Sequence, residues 1–180
     1  PPLTTTRNVL GARSPELIPP AGLAYLAAYL RERNIPVTVI DGFGEAPDSR
    51  TSLPLFDVIG LTNEEILRRV PRQGLIGLSC MFSNDWPYVR DLADRIKREN
   101  PEIMLVLGGE HATAAYEDLL MNCRELTACV LGEGEATLVE LTARLQHRPL
   151  ADLSDLPGTA SLRDGVVMSC PQRQRLRELD

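Results

Sequence analysis

The sequence predicts an α/β domain with a doubly wound parallel sheet and a C-terminal β-hairpin appendage. Apolar runs of strand length alternate with amphipathic segments of helical length along most of the 180 residues, an order typical of βαβ units. Two of these runs, Leu75–Cys80 and Ile103–Leu107, are apolar at nearly every position, as in strands covered on both faces of a sheet. Near the C-terminus, Asp164-Gly165 separates two short runs and favours a tight hairpin turn.

The N-terminal third is predicted to hold one helix and one strand. The helix spans Ala21–Asn34, where four apolar residues share one face: Leu23, Leu26, Ala27 and Leu30. Val37–Ile40 is entirely β-branched and ends at a turn dipeptide, which predicts a short strand. We expect no strand in Pro1–Thr6 and mostly loop over Phe43–Gly60. The first strand of the domain is therefore expected upstream of this sequence.

Helices and strands then alternate regularly. Thr62 and Glu65 have the spacing of a capping box and predict a short helix ending before Pro71. Longer helices are predicted over 85–100 and 114–121, with a strand over 128–131 and a helix opened by residues 132–135. The hairpin is predicted from strands over 159–162 and 166–169. We therefore expect an α/β domain over residues 1–148 and a hairpin with a linker over residues 149–180.

Composition excludes several classes of protein. With 19 Lys+Arg against 25 Asp+Glu, the formal net charge is −6, and Lys97 is the only lysine, so no nucleic-acid partner is expected. No apolar run approaches the ~20 residues of a membrane span, and the N-terminus lacks the pattern of a signal peptide. The sequence therefore predicts a cytoplasmic protein with no membrane partner.

The cysteines and histidines show no metal-site spacing. The four cysteines are predicted to be reduced and mostly buried: Cys80, Cys123, Cys129 and Cys170. His147 is interpreted as a residue at a helix C-terminus, where it meets the helix dipole. No metal ligands are assigned.

Three unusual segments follow the predicted parallel strands, at the edge of the sheet where ligands bind in open α/β folds. They are Ser79-Cys80-Met81-Phe82-Ser83, Gly108-Gly109-Glu110-His111-Ala112-Thr113 and Gly132-Glu133-Gly134-Glu135. Paired glycines allow a ligand to approach the backbone closely, although each turn alone is also explained by tight strand-to-helix connections. The three together indicate a binding site for a large, flat cofactor.

Individual side chains in these segments have more than one interpretation. His111 is interpreted as functional because it lies on a loop held by the scaffold. Glu135 is interpreted mainly as a helix-capping residue. Trp86 either packs in the core or lays its ring against the cofactor. A Rossmann or P-loop motif and a nucleophile with a placed base are both absent from the sequence, so no catalytic residue is assigned.

Taken in order, these segments resemble a known family. Together with Pro19–Leu30 and Val39–Asp41, they resemble the N-terminal cobalamin-binding domain of cobalamin-dependent radical S-adenosylmethionine (SAM) enzymes of the methyltransferase type. Each motif is weak alone, and the ordered set is specific. The resemblance spans about Pro1 to Asp180, including the hairpin and the closing Leu179-Asp180.

The resemblance implies a flavodoxin-like sheet with a corrinoid across its carboxyl edge, contacted by the three segments and Trp86. It implies a methyl group passing from methylcobalamin to a substrate radical, with natural-product biosynthesis as the setting. The partners it implies are a small-molecule substrate and a radical SAM domain in the same parent protein. That domain would bind the 4Fe-4S cluster and S-adenosylmethionine outside this chain.

Two departures from related patterns refine these expectations. No Asp-x-His-x-x-Gly sequence is present, so cobalamin is expected base-off without a histidine ligand. The lower face is then left to water or to a nearby side chain, for which Trp86 and Phe82 are the candidates by position. The Cys-x-x-x-Cys-x-x-Cys motif of the radical domain is also absent. Two alternatives stay open: a cobalamin-dependent radical SAM cyclase or ring-contracting enzyme without net methylation, and a receiver-like or flavodoxin-like module that binds no corrinoid.

Overall fold

The computed structural model describes residues 3–6, 20–54, 56–147 and 153–173. Within them it contains eight strands, five α-helices and a 3-10 helix at Ser83–Asp85. The strands are β1 Leu3–Thr6, β2 Arg50–Ser52, β3 Phe56–Ile59, β4 Leu75–Ser79, β5 Met104–Gly108, β6 Ala128–Val130, β7 Thr159–Arg163 and β8 Val166–Ser169. The helices are α1 Ala21–Glu32, α2 Asn63–Leu67, α3 Trp86–Glu99, α4 Glu110–Asn122 and α5 Glu135–His147. No described helix is long and apolar enough to span a membrane.

The main sheet has five strands in the order β4-β5-β6-β7-β8. β4, β5 and β6 are parallel, and β6, β7 and β8 are antiparallel. The α/β fold is thus confirmed, with a mixed sheet instead of a wholly parallel one. β4 forms one edge of this sheet and its side chains are only partly buried or exposed, so the expectation that it is covered on both faces is wrong.

The predicted hairpin is confirmed, and it continues the main sheet. Asp164 and Gly165 both have positive φ, 49° and 82°, as a two-residue turn between twisted strands requires. β7 pairs with β6 through Cys129 opposite Ala160 and Val130 opposite Thr159. Because this pairing buries the start of β7, the hairpin is a structural part of the domain and does not project from it.

Helix α3 shows how the apolar pattern creates the core. Four apolar residues fall on one face, and all are at most 4% exposed: Val89, Leu92, Ala93 and Ile96. They belong to a buried cluster with strand residues Leu105 and Leu107. Burying a side chain of the size of valine or leucine contributes about 1.5–3 kcal/mol, so this face holds the helix against the sheet.

Helix α2 begins at the capping box that the sequence predicts. The Thr62 hydroxyl accepts from the Glu65 amide at 3.3 Å, and a Glu65 carboxylate oxygen accepts from the Thr62 amide at 2.8 Å. The buried side chain of Asn63 then donates to the backbone oxygen of Tyr88 at 3.0 Å. These bonds fix the helix start and join α2 to α3.

Three predictions for the N-terminal third are wrong. Leu3–Thr6 is a strand, paired antiparallel with β3, where none was expected. The segment expected to be loop contains β2 and β3, closed by a bond from the Leu53 amide to the Phe56 carbonyl at 2.9 Å. Val37–Ile40 is not a strand, although Ile40 packs against the core. A strand needs a paired neighbour, and local β propensity does not supply one.

Candidate functional site at the carboxyl edge of the sheet

The three unusual segments meet at one edge of the sheet. β4 and β5 are in register, so Ser79 lies opposite Gly108, and both strands end at the same edge. We name the segments edge loop A (Ser79–Ser83), edge loop B (Gly108–Thr113) and edge loop C (Gly132–Glu135). They follow β4, β5 and β6 respectively. The parallel part of the sheet therefore brings together segments that are about 25 residues apart in sequence.

Edge loops A and B are joined by three hydrogen bonds. The Cys80 amide donates to the Gly108 carbonyl at 2.8 Å, and the His111 amide donates to the Cys80 carbonyl at 3.2 Å. The Ser83 hydroxyl oxygen lies 3.0 Å from Nδ1 of His111. Two backbone contacts and one side-chain contact thus hold loop A against the start of α4.

Gly109 is required at this junction by its geometry. Its φ is +104°, a conformation that side-chain-bearing residues rarely adopt. A Cβ at this position would lie 2.5 Å from the Cys80 carbonyl oxygen. The glycine therefore permits the close packing of the two loops.

Edge loop B extends its contacts to edge loop C. Helix α4 begins at Glu110, four residues before the expected start, so Glu110–Thr113 form its first turn and are not loop. From this turn the Thr113 hydroxyl accepts from the Gly132 amide at 3.0 Å. Ala112 is fully buried and faces the core. The first turn of α4 therefore contacts both neighbouring loops.

The exposed side chains of edge loop A are apolar. Phe82 is 62% exposed and Met81 is 46% exposed. Cys80, between them and the strand, is fully buried, and its thiol donates to the Phe82 carbonyl at 3.4 Å. Trp86 packs against the core, with its ring centroid 6.0 Å from that of His111. This loop presents two neighbouring exposed apolar groups at the carboxyl edge of the sheet.

Two buried polar atoms at this edge have no hydrogen-bond partner among the described residues. They are Nε2 of His111 and Oε2 of Glu135, the first residue of α5. Buried polar atoms in folded proteins are nearly always paired. Unpaired polar atoms and exposed apolar side chains in the loops of one sheet edge fit an amphipathic ligand with hydrogen-bonding groups at its periphery, as a corrinoid has.

Residues 171–173, which the sequence predicts to be part of a linker, also reach this edge. The Gly158 amide donates to the Pro171 carbonyl at 2.9 Å, and Arg173 donates to the Thr137 hydroxyl at 3.1 Å. Arg173 also forms an ion pair with Glu140 at 2.7 Å. These contacts place the Gln172 side chain beside Gly132. No local sequence pattern marks this approach, which depends on contacts between Arg173 and helix α5.

The thiols are free, and three of them are buried, as predicted. Burial raises the pKa of Cys80 to about 11 and those of Cys123 and Cys129 to about 12. Cys123 donates to Glu125 at 3.3 Å, in a cluster with Asp94 whose ligand-type atoms lie within 4.8 Å of one another. Protonated thiols are poor nucleophiles and poor metal ligands. His147 is the last residue of α5, as predicted, and its side chain lies outside the described residues.

Comparisons with known proteins agree with this geometry. A family model described as the B12 binding domain matches residues 7–142. An anaerobic magnesium-protoporphyrin IX monomethyl ester cyclase from Synechocystis is 30% identical over 184 residues, covering 99% of this chain and 33% of the relative. A cytidylyl-2-hydroxyethylphosphonate methyltransferase from Streptomyces wedmorensis is 30% identical over 125 residues, covering 67% of this chain and 23% of the relative.

Two solved structures share the fold. The cobalamin-dependent SAM radical enzyme OxsB, with aqua-cobalamin and S-adenosylmethionine bound, matches with a TM-score of 0.65 and 20% identity, over 86% of this chain and 20% of that one. The radical SAM methyltransferase TsrM from Kitasatospora setae, with cobalamin and a [4Fe-4S] cluster bound, matches with a TM-score of 0.63 and 16% identity, over 93% and 29%. The chain spans a third or less of the length of these proteins.

Proposed function

This chain belongs to the B12-binding domain family, and from that membership we propose that edge loops A, B and C hold cobalamin as one module of a longer radical SAM enzyme. The observation that supports it most directly is that the exposed Met81–Phe82 pair and the unpaired Nε2 of His111 and Oε2 of Glu135 all belong to segments at the carboxyl edge of the sheet. The apolar pair offers a surface for a macrocycle face. The two polar atoms suit its hydrogen-bonding periphery.

The backbone does much of the proposed binding. The missing Cβ of Gly109 lets edge loop B pack closely on edge loop A, and the bonds among the three loops hold their main chain in place before binding. A site held in position without the ligand loses little conformational entropy when the ligand binds. The proposed contact residues are those of the three loops together with Trp86. Fully buried Cys80 and Ala112 would support the site from below.

We propose that cobalt has neither its own benzimidazole nor a protein histidine as lower ligand. The sequence has no Asp-x-His-x-x-Gly motif. His111, the histidine of the edge loops, has Nδ1 3.0 Å from the Ser83 hydroxyl oxygen and Nε2 buried. Between the two aromatic candidates for the lower face, the greater exposure of Phe82 favours it over Trp86.

The proposed reaction is methylation of a substrate carbon by the parent enzyme. Bound methylcobalamin would supply the methyl group, and S-adenosylmethionine with a 4Fe-4S cluster would be bound by a radical SAM domain outside these 180 residues, which contain no Cys-x-x-x-Cys-x-x-Cys motif. This chain's own task is then to hold and orient the corrinoid toward that domain and a small-molecule substrate. We propose that this takes place in the cytoplasm.

A second candidate is cyclisation without net methylation. It is favoured by the relatives from Synechocystis and Rubrivivax gelatinosus, both named as anaerobic magnesium-protoporphyrin IX monomethyl ester cyclases. Product analysis of the full-length enzyme distinguishes the two reactions, because only the first adds a methyl group to the substrate. Membership of the B12-binding family favours both over a receiver-like module.

An anaerobic absorption titration of the 180-residue chain with hydroxocobalamin tests the proposal. We expect saturable binding with the spectral change that marks loss of the benzimidazole ligand from cobalt. Circular dichroism of the same sample establishes that the chain is folded. A folded chain that shows no saturable binding contradicts the proposal that these loops form the corrinoid site.

A further inference from the structure

Glu135 carries a buried carboxylate oxygen with no partner. The residue is 9% exposed, it begins the 13-residue helix α5, and its Oε2 has no hydrogen-bond donor among the described residues. The N-terminus of a helix favours a negative charge. This electrostatic attraction does not replace the hydrogen bond with water that a carboxylate oxygen loses when it is buried.

Several described polar side chains near the start of α5 have other contacts. The Thr137 hydroxyl accepts from Arg173 and donates to the Pro157 carbonyl at 3.3 Å. Arg173 forms an ion pair with Glu140, although its Nη2 makes no hydrogen bond, and the Thr113 hydroxyl accepts from the Gly132 amide. None of the described residues donates to Oε2 of Glu135, so this oxygen is free to accept a hydrogen bond from a bound ligand.

The charges of the edge loops restrict what that donor belongs to. The loops contain three glutamates, Glu110, Glu133 and Glu135, and no lysine or arginine. An ionised carboxylate only accepts hydrogen bonds, so it attracts an N–H or O–H group and repels a carboxylate. Cobalamin carries primary amides around its corrin ring, and each is a neutral N–H donor.

Resting on the proposed corrinoid site, we propose that Glu135 is a specificity-determining residue that accepts a hydrogen bond from one peripheral primary amide of the corrin ring. Replacing that amide by a carboxylate puts two acceptors face to face in a buried position. Sites built around a buried hydrogen bond reject analogues that lack the matching group far more strongly than apolar pockets reject a change of size. Glu135 therefore selects fully amidated corrinoids over incompletely amidated ones.

The experiment compares hydroxocobalamin with its monocarboxylic acid derivatives, each with one peripheral primary amide hydrolysed. Dissociation constants are measured by absorption titration for the wild-type chain, Glu135→Gln and the control Glu102→Gln, which removes the same charge at an exposed position outside the edge loops. We expect at least one derivative to bind the wild type about tenfold or more weakly than hydroxocobalamin. Glu135→Gln, whose amide can donate to a carboxylate, reduces that ratio to about threefold or less, and Glu102→Gln leaves it unchanged.

Each remaining outcome counts against a defined claim. Unchanged ratios in Glu135→Gln, or equal changes in both variants, overturn the role of Glu135 while leaving the corrinoid site standing. Absence of any binding by the folded wild type overturns the site itself. If Glu135→Gln does not fold, Glu135→Asp takes its place, because the shorter side chain keeps the charge but moves the carboxylate oxygen away from the ligand. We expect Glu135→Asp to weaken hydroxocobalamin binding about fivefold without weakening binding of the monocarboxylic acid derivative that the wild type rejects. Equal weakening of both ligands overturns the proposal.

Discussion

The Ser83 hydroxyl oxygen lies 3.0 Å from Nδ1 of His111, and this contact joins edge loop A to the first turn of α4. Two residues further along the same turn, Thr113 accepts a hydrogen bond from Gly132 in edge loop C. One helical turn therefore fixes the relative position of all three loops. The shape of the proposed site depends on contacts that a ligand does not itself make.

Ser83→Ala is expected to weaken hydroxocobalamin binding about three- to tenfold, because one intramolecular hydrogen bond contributes about 0.5–1.5 kcal/mol. The bond is exposed, so the melting temperature should change little. His111→Asn, which keeps a polar atom near the position of Nδ1, should retain more affinity than His111→Ala. Ser169→Ala on β8 is the control, and equal losses of affinity in Ser83→Ala and Ser169→Ala would refute the role of this contact.

Gly109→Ala is expected to destabilise the chain by about 2 kcal/mol or more and to abolish corrinoid binding. The φ of +104° is unfavourable for alanine, and the new Cβ would meet the Cys80 carbonyl oxygen at 2.5 Å. Gly22→Ala in α1 is the matched control. Nothing lies within 4 Å of its Cβ position, so we expect unchanged or slightly higher stability. Chemical denaturation of both variants checks the difference.

Phe82→Ala is expected to leave the free energy of unfolding unchanged because the ring is 62% exposed. If the ring packs against the corrin, its removal should weaken hydroxocobalamin binding about tenfold, as expected for the apolar area that the complex would bury. Val166, similarly exposed on β8, provides Val166→Ala as a control. Unchanged affinity in Phe82→Ala would exclude Phe82 from the binding surface.

Thr62→Ala is expected to lower the melting temperature by about 2–4 °C at neutral pH through loss of the helix cap. The backbone and side-chain hydrogen bonds of Thr62 lower the pKa of Glu65 below its ordinary value of 4.5. A carboxyl group whose pKa is lowered in the folded state stabilises the fold at pH values above its ordinary pKa. This stabilisation is lost as the pH falls through the folded-state pKa. The difference between wild type and variant should therefore shrink in acid, with exposed Thr38→Ala as the control. A difference that stays constant would contradict this.

Alkylation with iodoacetamide at about pH 8 should modify Cys170 first and leave the three buried thiols largely unreacted. Only the thiolate reacts, and burial raises the pKa values of Cys80, Cys123 and Cys129. Mass spectrometry of the native chain checks this, with the unfolded chain as control. Because the pKa values of these three thiols are raised in the folded state, the thiols contribute fully to folding stability at pH values below their ordinary pKa of 9.0. That contribution is lost as the pH rises above 9.0.

Local sequence patterns predicted the elements whose stability comes from their own residues. The apolar face of α3, the capping box of α2 and the Asp164-Gly165 turn are each encoded within a few positions, and the structure confirms all three. Val37–Ile40 and the strands β2 and β3 were predicted wrongly. Their state depends on a pairing partner, which a single segment does not reveal.

The sequence by itself determined the α/β fold and the three edge loops, because apolar periodicity and glycine positions act locally and parallel strands end at one edge. The tertiary structure alone decided that the hairpin joins the sheet, that Pro171–Arg173 reaches edge loop C, and that Ser83 meets His111. It also decided that Oε2 of Glu135 is buried without a partner. These features arise between residues distant in the chain, where packing and hydrogen-bond geometry set the outcome.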